Sequence, residues 1–186
     1  MNILAVDQAR AGAWSVWDYE SQTLVACGSY FFDPNKYTYE KAIMHIEDYI
    51  SKVIDVFDVS VVFIEDIQLR ANVQAFKKLA QLQGVLVNLL EKNEFLYGVI
   101  APSQWQNYCR ARGRSTKEVN SGVLHVDSDK PKSKILSIQF VKDQFGIETD
   151  NDNLADSICL GWYAVNVIEI HTRNKSKSGR NKGVKK

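Results

Sequence analysis

Two short segments of this chain, Ile3-Leu4-Ala5-Val6 and Val61-Val62-Phe63-Ile64, are unbroken apolar runs that each end on an acid, Asp7 and Glu65. A strand with one wet face alternates apolar and polar residues, whereas an unbroken run suits a strand covered on both faces. Between the two runs, Ala42, Ile43, Ile46, Tyr49, Ile50, Val53, Ile54 and Phe57 fall at i, i+3, i+4 and i+7, the spacing of one helix face. His45 lies beside that face and reads as an ordinary helix residue. A strand, a helix and a second strand joined by a crossover lie parallel, so both acids emerge at the same edge of one sheet.

The remaining segments extend that frame. Ala13 to Trp17 alternates as a half-buried strand, and Thr23 to Phe32 is a third run rich in β-formers, so an antiparallel meander with turns near Gly12 and Glu20-Ser21 is expected. A second helix is expected from Val73 to Lys92, a fifth strand from Phe95 to Ala101, and a short basic helix near Ser103–Arg112. A polar loop then runs through Pro131 to helices over Lys132–Phe145 and Asp152–Ile170. This order predicts an α/β fold, a five-stranded mixed sheet flanked by helices, and it resembles the ribonuclease H-like arrangement.

Charge separates the body from its end. His171 to Lys186 holds seven bases (Arg173, Lys175, Lys177, Arg180, Lys182, Lys185, Lys186) and no acid; removing those seven from the net +1 leaves −6 for residues 1–170. The expected organisation is therefore one folded domain over 1–170 and a basic, disordered tail over 171–186 that seeks polyanions. No apolar run approaches the ~20 residues of a membrane span, and Asp7 interrupts the first run before a signal-peptide core could form. Three scattered cysteines, Cys27, Cys109 and Cys159, support neither a disulfide framework nor a zinc site. A reducing cytoplasm is the expected setting.

The acids carry the chemistry. Asp7 and Glu65 close apolar strands, where an uncompensated carboxylate is costly, and two like charges at one sheet edge favour a divalent cation as partner. Asn151-Asp152-Asn153-Leu154-Ala155-Asp156-Ser157 opens the last helix, with Asp152 and Asp156 sharing a face at i, i+4. Ala155, Ser157, Cys159 and Gly161 are small enough to let that helix approach the sheet closely. Asp152 has a sufficient alternative role in complementing the helix dipole, but Asp156 lies a turn further in. Asp7, Glu65, Asp152 and Asp156 would supply four hard oxygen ligands. Such a set suits Mg2+, with Mn2+ able to substitute, and can hold two ions about 3.5–4 Å apart for phosphodiester hydrolysis.

Ile3-Leu4-Ala5-Val6-Asp7, Val62-Phe63-Ile64-Glu65, the helix Phe76-Lys77-Lys78-Leu79-Ala80-Gln81-Leu82-Gln83-Gly84 and Asn153-Leu154-Ala155-Asp156-Ser157 together resemble the motifs of the RuvC family of Holliday-junction resolvases, especially its phage-encoded branch. The resemblance spans about residues 1–168 in order. It implies a homodimer on four-way DNA junctions, dimer contact through the second helix, and paired, metal-dependent nicks that leave 5′-phosphates. Asp7, Glu65 and Asp156 match the family's metal-binding acids directly. The chain departs from the family where an acid or His usually stands three residues before the final Asp: Asn153 stands there, with Asp152 one step earlier. Asp152 is expected to turn inward as fourth ligand, with Asn153 capping the helix or contacting a ligand. Asp66-Ile67-Gln68-Leu69 lacks the aromatic that bacterial members carry shortly after the glutamate.

DNA contacts are expected from the stretch Trp105 to Lys117, which interleaves aromatics with Arg110, Arg112, Arg114 and Lys117. Lys132 and Lys134 precede the final acids, where RuvC-like enzymes place bases near the scissile phosphate. Trp105 itself reads first as a core residue, and Lys77 and Lys78 as exposed. Three rival readings exist: a broader nuclease on forks and flaps, a silent ribonuclease H-like DNA-binding module, and a nucleotide-binding protein of the related actin-like fold. The cluster of acids argues against silence, and paired phosphate-binding glycine loops are missing from the sequence.

Overall fold

The computed structural model describes residues 1–69, 72–111 and 132–170, with the side chains of 132–134 outside that description. Five strands, β1 (Asn2–Asp7), β2 (Ala11–Asp18), β3 (Thr23–Phe31), β4 (Val59–Glu65) and β5 (Leu96–Ile100), form one sheet in the order β3-β2-β1-β4-β5. The first three pair antiparallel as a meander, and β4 joins β1 in parallel, with Val6 opposite Ile64. β5 continues the parallel half, with Ile100 opposite Glu65. Among the described residues five helices accompany them: α1 (Tyr39–Val56), α2 (Val73–Lys92), α3 (Pro102–Tyr108), α4 (Lys132–Phe145) and α5 (Asp152–Val167).

The period of two along β1 and β4 sorts the core into two layers. Leu4, Val6, Val62 and Ile64 face Ile46 and Ile50 of α1 and Leu82, Leu86 and Leu90 of α2. Ile3, Ala5, Val61 and Phe63 face Trp105 of α3 and Ile158 and Leu160 of α5. Each large aliphatic buried in this way contributes about 1.5–3 kcal/mol over leaving it in water. Asp7 and Glu65 continue the second set by alternation and so turn toward the layer that carries Asp156.

The first meander turn lies at Gln8–Arg10, earlier than the expected position near Gly12, which is inside β2. A Cβ at Gly12 would stand 2.4 Å from the Tyr30 hydroxyl and 2.7 Å from the Asp7 carbonyl. Glycine is kept there because the Tyr30 ring crosses β2 at that point, not because the chain turns. The Arg10 guanidinium then donates to the carbonyls of Phe32 and Tyr37, tying the meander to the loop that precedes α1.

Candidate active site

At the C-terminal edges of β1 and β4 a cavity of about 400 Å³ opens. Asp7, Glu65, Asn153 and Asp156 all line it, drawn from two strands and the first turns of α5. Asp7 is only 9% exposed, so its carboxylate is held largely away from water. Its field is felt nearby: burial first, and the Asp7 charge second, push the Tyr30 hydroxyl well above the usual phenol range. Burial likewise raises the Cys159 thiol, one turn along α5 from Asp156, so that thiol stays protonated.

The position of Asp156 follows from how α5 is pinned to β2. Asn153 donates its amide to the Ala11 carbonyl at 2.8 Å, and Ser15 donates its hydroxyl to the Ser157 carbonyl at 2.7 Å. Trp17 in turn donates to the Ser15 hydroxyl at 2.9 Å. A Cβ at Gly161 would stand 2.1 Å from Trp17 Nε1, so glycine is what permits the third point of contact. Residues 153, 157 and 161 succeed each other at i+4 along one helix face, and all three press on β2. Asp156 lies between the first two of these points and inherits their register.

Glu65 is held from two sides. Gln8 donates its amide to the Glu65 carbonyl at 2.9 Å, and Trp105 donates its indole N–H to Glu65 Oε1 at 2.9 Å. The Gln8 bond fixes which end of that amide faces the cavity. Gln8 is 4% exposed, and its Oε1 has no hydrogen-bond partner among the described residues. A buried acceptor beside a carboxylate cluster calls for a donor beyond the described residues, such as water, a hydrated cation or the substrate. The donors around the cavity are all carboxylate or carboxamide oxygens, the chemistry that hard divalent cations select over Zn2+. Among the described residues, no group of three or more His, Cys, Asp or Glu side chains stands as a ready metal cage, so the carboxylates share a cavity rather than a closed coordination shell.

For the Asp152/Asn153 pair the helix start agrees with the expectation and the cap does not. The helix does begin at Asp152, but Asn151 takes the cap, accepting from the backbone N–H groups of Asn153 and Leu154. That arrangement gives Asp152 a helical backbone, about 100° around the axis from Asn153. Asn153 lines the cavity, and Asp152 is not among the lining residues.

Of the expected DNA contacts, Arg110 is exposed just past α3, in a left-handed backbone conformation (φ 54°) that ends the helix. Arg112, Arg114 and Lys117 lie outside the described residues, as does the basic tail from 171 onward. Lys132 and Lys134 lie on α4 with side chains outside the description. Trp105 is in the core, 1% exposed, and contacts the site as well. Gln8 and Trp105 are the site residues that sequence reasoning missed. Gln8 could have been suspected as the residue that follows a strand-end acid, but the Trp105 contact needs the α3 placement to be known.

The family model for "Crossover junction endodeoxyribonuclease RuvC" matches residues 3–107, more than half the chain. Among solved structures, Thermus thermophilus RuvC superposes with a TM-score of 0.64 at 13% identity, covering 88% of this chain and 92% of that one. The fowlpox virus resolvase, in complex with substrate Holliday junction DNA, gives 0.54 at 16% identity, covering 89% and 97%. The yeast mitochondrial Holliday junction resolvase gives 0.52 at 12% identity, covering 88% and 77%. At these identities the likeness establishes the fold, a ribonuclease H-like resolvase architecture. No curated protein is similar enough in sequence to count as a relative.

Proposed function

The chain belongs to the RuvC family of crossover junction endodeoxyribonucleases, and from that premise we propose that it is a Mg2+-dependent nuclease that resolves Holliday junctions. It would act as a homodimer, making paired symmetric nicks that leave 5′-phosphates. The observation that carries this reading is the arrival of Asp7, Glu65 and Asp156, from three separate elements, at one cavity on the edge of the parallel strands.

Asp7, Glu65 and Asp156 would hold the cation, with the Asn153 side chain as a neutral fourth contact from the same wall. A bound Mg2+ would supply Lewis-acid polarisation of the phosphate and a more acidic water. Burial of Asp7 keeps bulk water from competing for its oxygens, and the three pins on α5 hold Asp156 in register with the strand-end acids. Arg110, exposed just past the helix that forms one cavity wall, is proposed to hold a backbone phosphate. Arg112, Arg114, Lys117, Lys132 and Lys134 are proposed to extend that contact, and the 171–186 tail to add non-specific phosphate binding beyond the 1–170 nuclease body.

The dimer is proposed to form through α2. Only Leu82, Leu86 and Leu90 of this helix are buried, while Val73 is 51% exposed and the preceding Leu69 is 68% exposed. Sedimentation showing a monomer at micromolar concentration would remove that part of the proposal. Among the described residues no helix is long and apolar enough to cross a membrane. The cytoplasm, where DNA is reached directly, is the proposed setting.

The test is cleavage by purified protein of a four-way junction, a fork and a linear duplex, with Mg2+ and with EDTA. The proposal expects junction nicking only with Mg2+, and little on linear duplex. Equal cleavage of fork and junction would favour the broader structure-selective nuclease, and no cleavage of any substrate would favour the silent module.

A further inference from the structure

Four tryptophans are present, and of the three whose indole hydrogen bonds are defined one spends its N–H on a charged acceptor. Trp14 donates to the Tyr49 hydroxyl at 3.0 Å and Trp17 to the Ser15 hydroxyl at 2.9 Å, both neutral acceptors. Trp105 donates to the Glu65 carboxylate. It is 1% exposed, so its N–H must find an acceptor within the protein, and a neutral carbonyl or hydroxyl would satisfy the core. A carboxylate acceptor makes the bond charge-assisted, and so stronger than a bond to a neutral oxygen.

The backbone explains why this pairing arises. Ile100 ends β5 directly opposite Glu65, and the chain then enters α3 through Pro102, which lines the same cavity. Gln104 caps the turn by accepting from the Ala101 backbone N–H at 3.1 Å. The next residue, Trp105, is thereby directed back across the neighbouring strand onto Glu65. Gln8 holds the carbonyl of the same residue, so the backbone and the carboxylate of Glu65 are both fixed before any ligand arrives.

We propose that Trp105 is a positioning residue for the cation site: its indole N–H sets the rotamer of the Glu65 carboxylate and so tunes cation affinity through Glu65. The inference rests on the reading of Glu65 as a cation ligand. A glutamate has three side-chain torsions to immobilise, and a ligand that must be ordered at the moment of binding binds more weakly. Hydrogen-bond partners of metal ligands typically change metal affinity by about 10-fold to 100-fold when removed.

The test is Mn2+ binding to the full chain, read from the free-Mn2+ paramagnetic resonance signal, for wild type, Trp105→Phe, Glu65→Gln and the double variant. Trp105→Phe should weaken binding by roughly 10-fold while retaining a cooperative thermal transition, and the double variant should bind no more weakly than Glu65→Gln alone. A merely structural role would leave Mn2+ affinity unchanged in Trp105→Phe, or add its loss again in the double variant; either result overturns the inference. Should Trp105→Phe fail to fold, the indole N–H proton resonances of the wild type decide: one of them should move both on Mg2+ addition and in Glu65→Gln, and its immobility in either case overturns the inference. Mn2+ binding that Glu65→Gln weakens and Trp105→Phe does not removes the inference alone. Failure of wild type to bind Mn2+ removes the reading of Glu65, and this inference with it.

Discussion

Gly161→Ala is a one-methyl change that should separate the fold from the site. The added Cβ would stand 2.1 Å from Trp17 Nε1, 2.4 Å from Trp17 Cδ1 and 2.7 Å from Ser15 Oγ, where ordinary contact begins near 3.4 Å. Trp17 has no room to retreat: it is fully buried, with Phe145 at 5.4 Å and Trp162 at 5.6 Å between ring centres. The helix must therefore lift from β2 by about 1 Å. Overpacking of this kind costs about 1–3 kcal/mol, and replacing glycine by alanine in a helix returns about 1 kcal/mol. The net loss, about 1 kcal/mol, corresponds to a fall in Tm of roughly 2–4 °C for a chain of this size. The functional loss should be larger in proportion, because lifting α5 stretches the Ser15–Ser157 and Asn153–Ala11 bonds and carries Asp156 away from Asp7 and Glu65. A displacement near 1 Å can cost about 100-fold in rate. Thermal melting and single-turnover junction cleavage on the same preparation would measure both. A variant that melts several degrees lower yet cleaves at the wild-type rate would refute the claim that this contact sets the register of Asp156.

Other consequences follow from particular residues. Asn153→Ala should raise the Mg2+ concentration for half-maximal cleavage more than Asp152→Asn does, because Asn153 lines the cavity and Asp152 does not; the reverse ranking would make Asp152 the ligand. Deleting residues 173–186 should weaken binding to junction and linear duplex by similar factors and flatten the salt dependence of both, each lost phosphate contact reducing the log–log slope by about 0.9; unchanged slopes would leave the tail with no part in DNA binding. Asp18 is held at a pKa of about 2, chiefly because its carboxylate accepts from the Ser21 backbone N–H at 2.8 Å and from the Ser21 hydroxyl. A depressed carboxylate stabilises the fold above its unfolded value of 3.8 and loses that contribution as pH falls toward 2. Asp18→Ala should therefore make stability less dependent on pH between about 4 and 2, and an unchanged acid limb on urea unfolding would count against it.

Much of this architecture can be read from period and punctuation. The unbroken runs before Asp7 and Glu65 specify two strands buried on both faces, and the i+4 series through α1 specifies the crossover that makes them parallel neighbours. The bounds of α2 and α4 also follow from the sequence. Alternation along β1 and β4 even fixes the face on which both acids lie. Less legible are features that depend on close approach between distant segments. Gly12 reads as a turn residue, yet it lies in a strand, and it is glycine because Tyr30 crosses it. Asp152 carries the charge that a missing family acid suggests, yet Asn151 caps the helix and Asn153 reaches the cavity. Trp105 has the hydrophobic signature of a core residue, which it is, and nothing in the local pattern reveals that its N–H meets Glu65.

The central claim is that Asp7, Glu65 and Asp156 act as one cation-holding set on branched DNA. The most direct measurement is mapping of the cut ends on a four-way junction by wild type, Asp7→Asn, Glu65→Gln and Asp156→Asn, alongside junction binding in Ca2+. Wild type should give symmetric nicks with 5′-phosphate ends in Mg2+, and each variant should cut no measurable fraction while binding the junction as tightly or more tightly, since a negative charge has been removed beside a polyanion. Wild-type-like nicking by any one of the three variants would contradict the account.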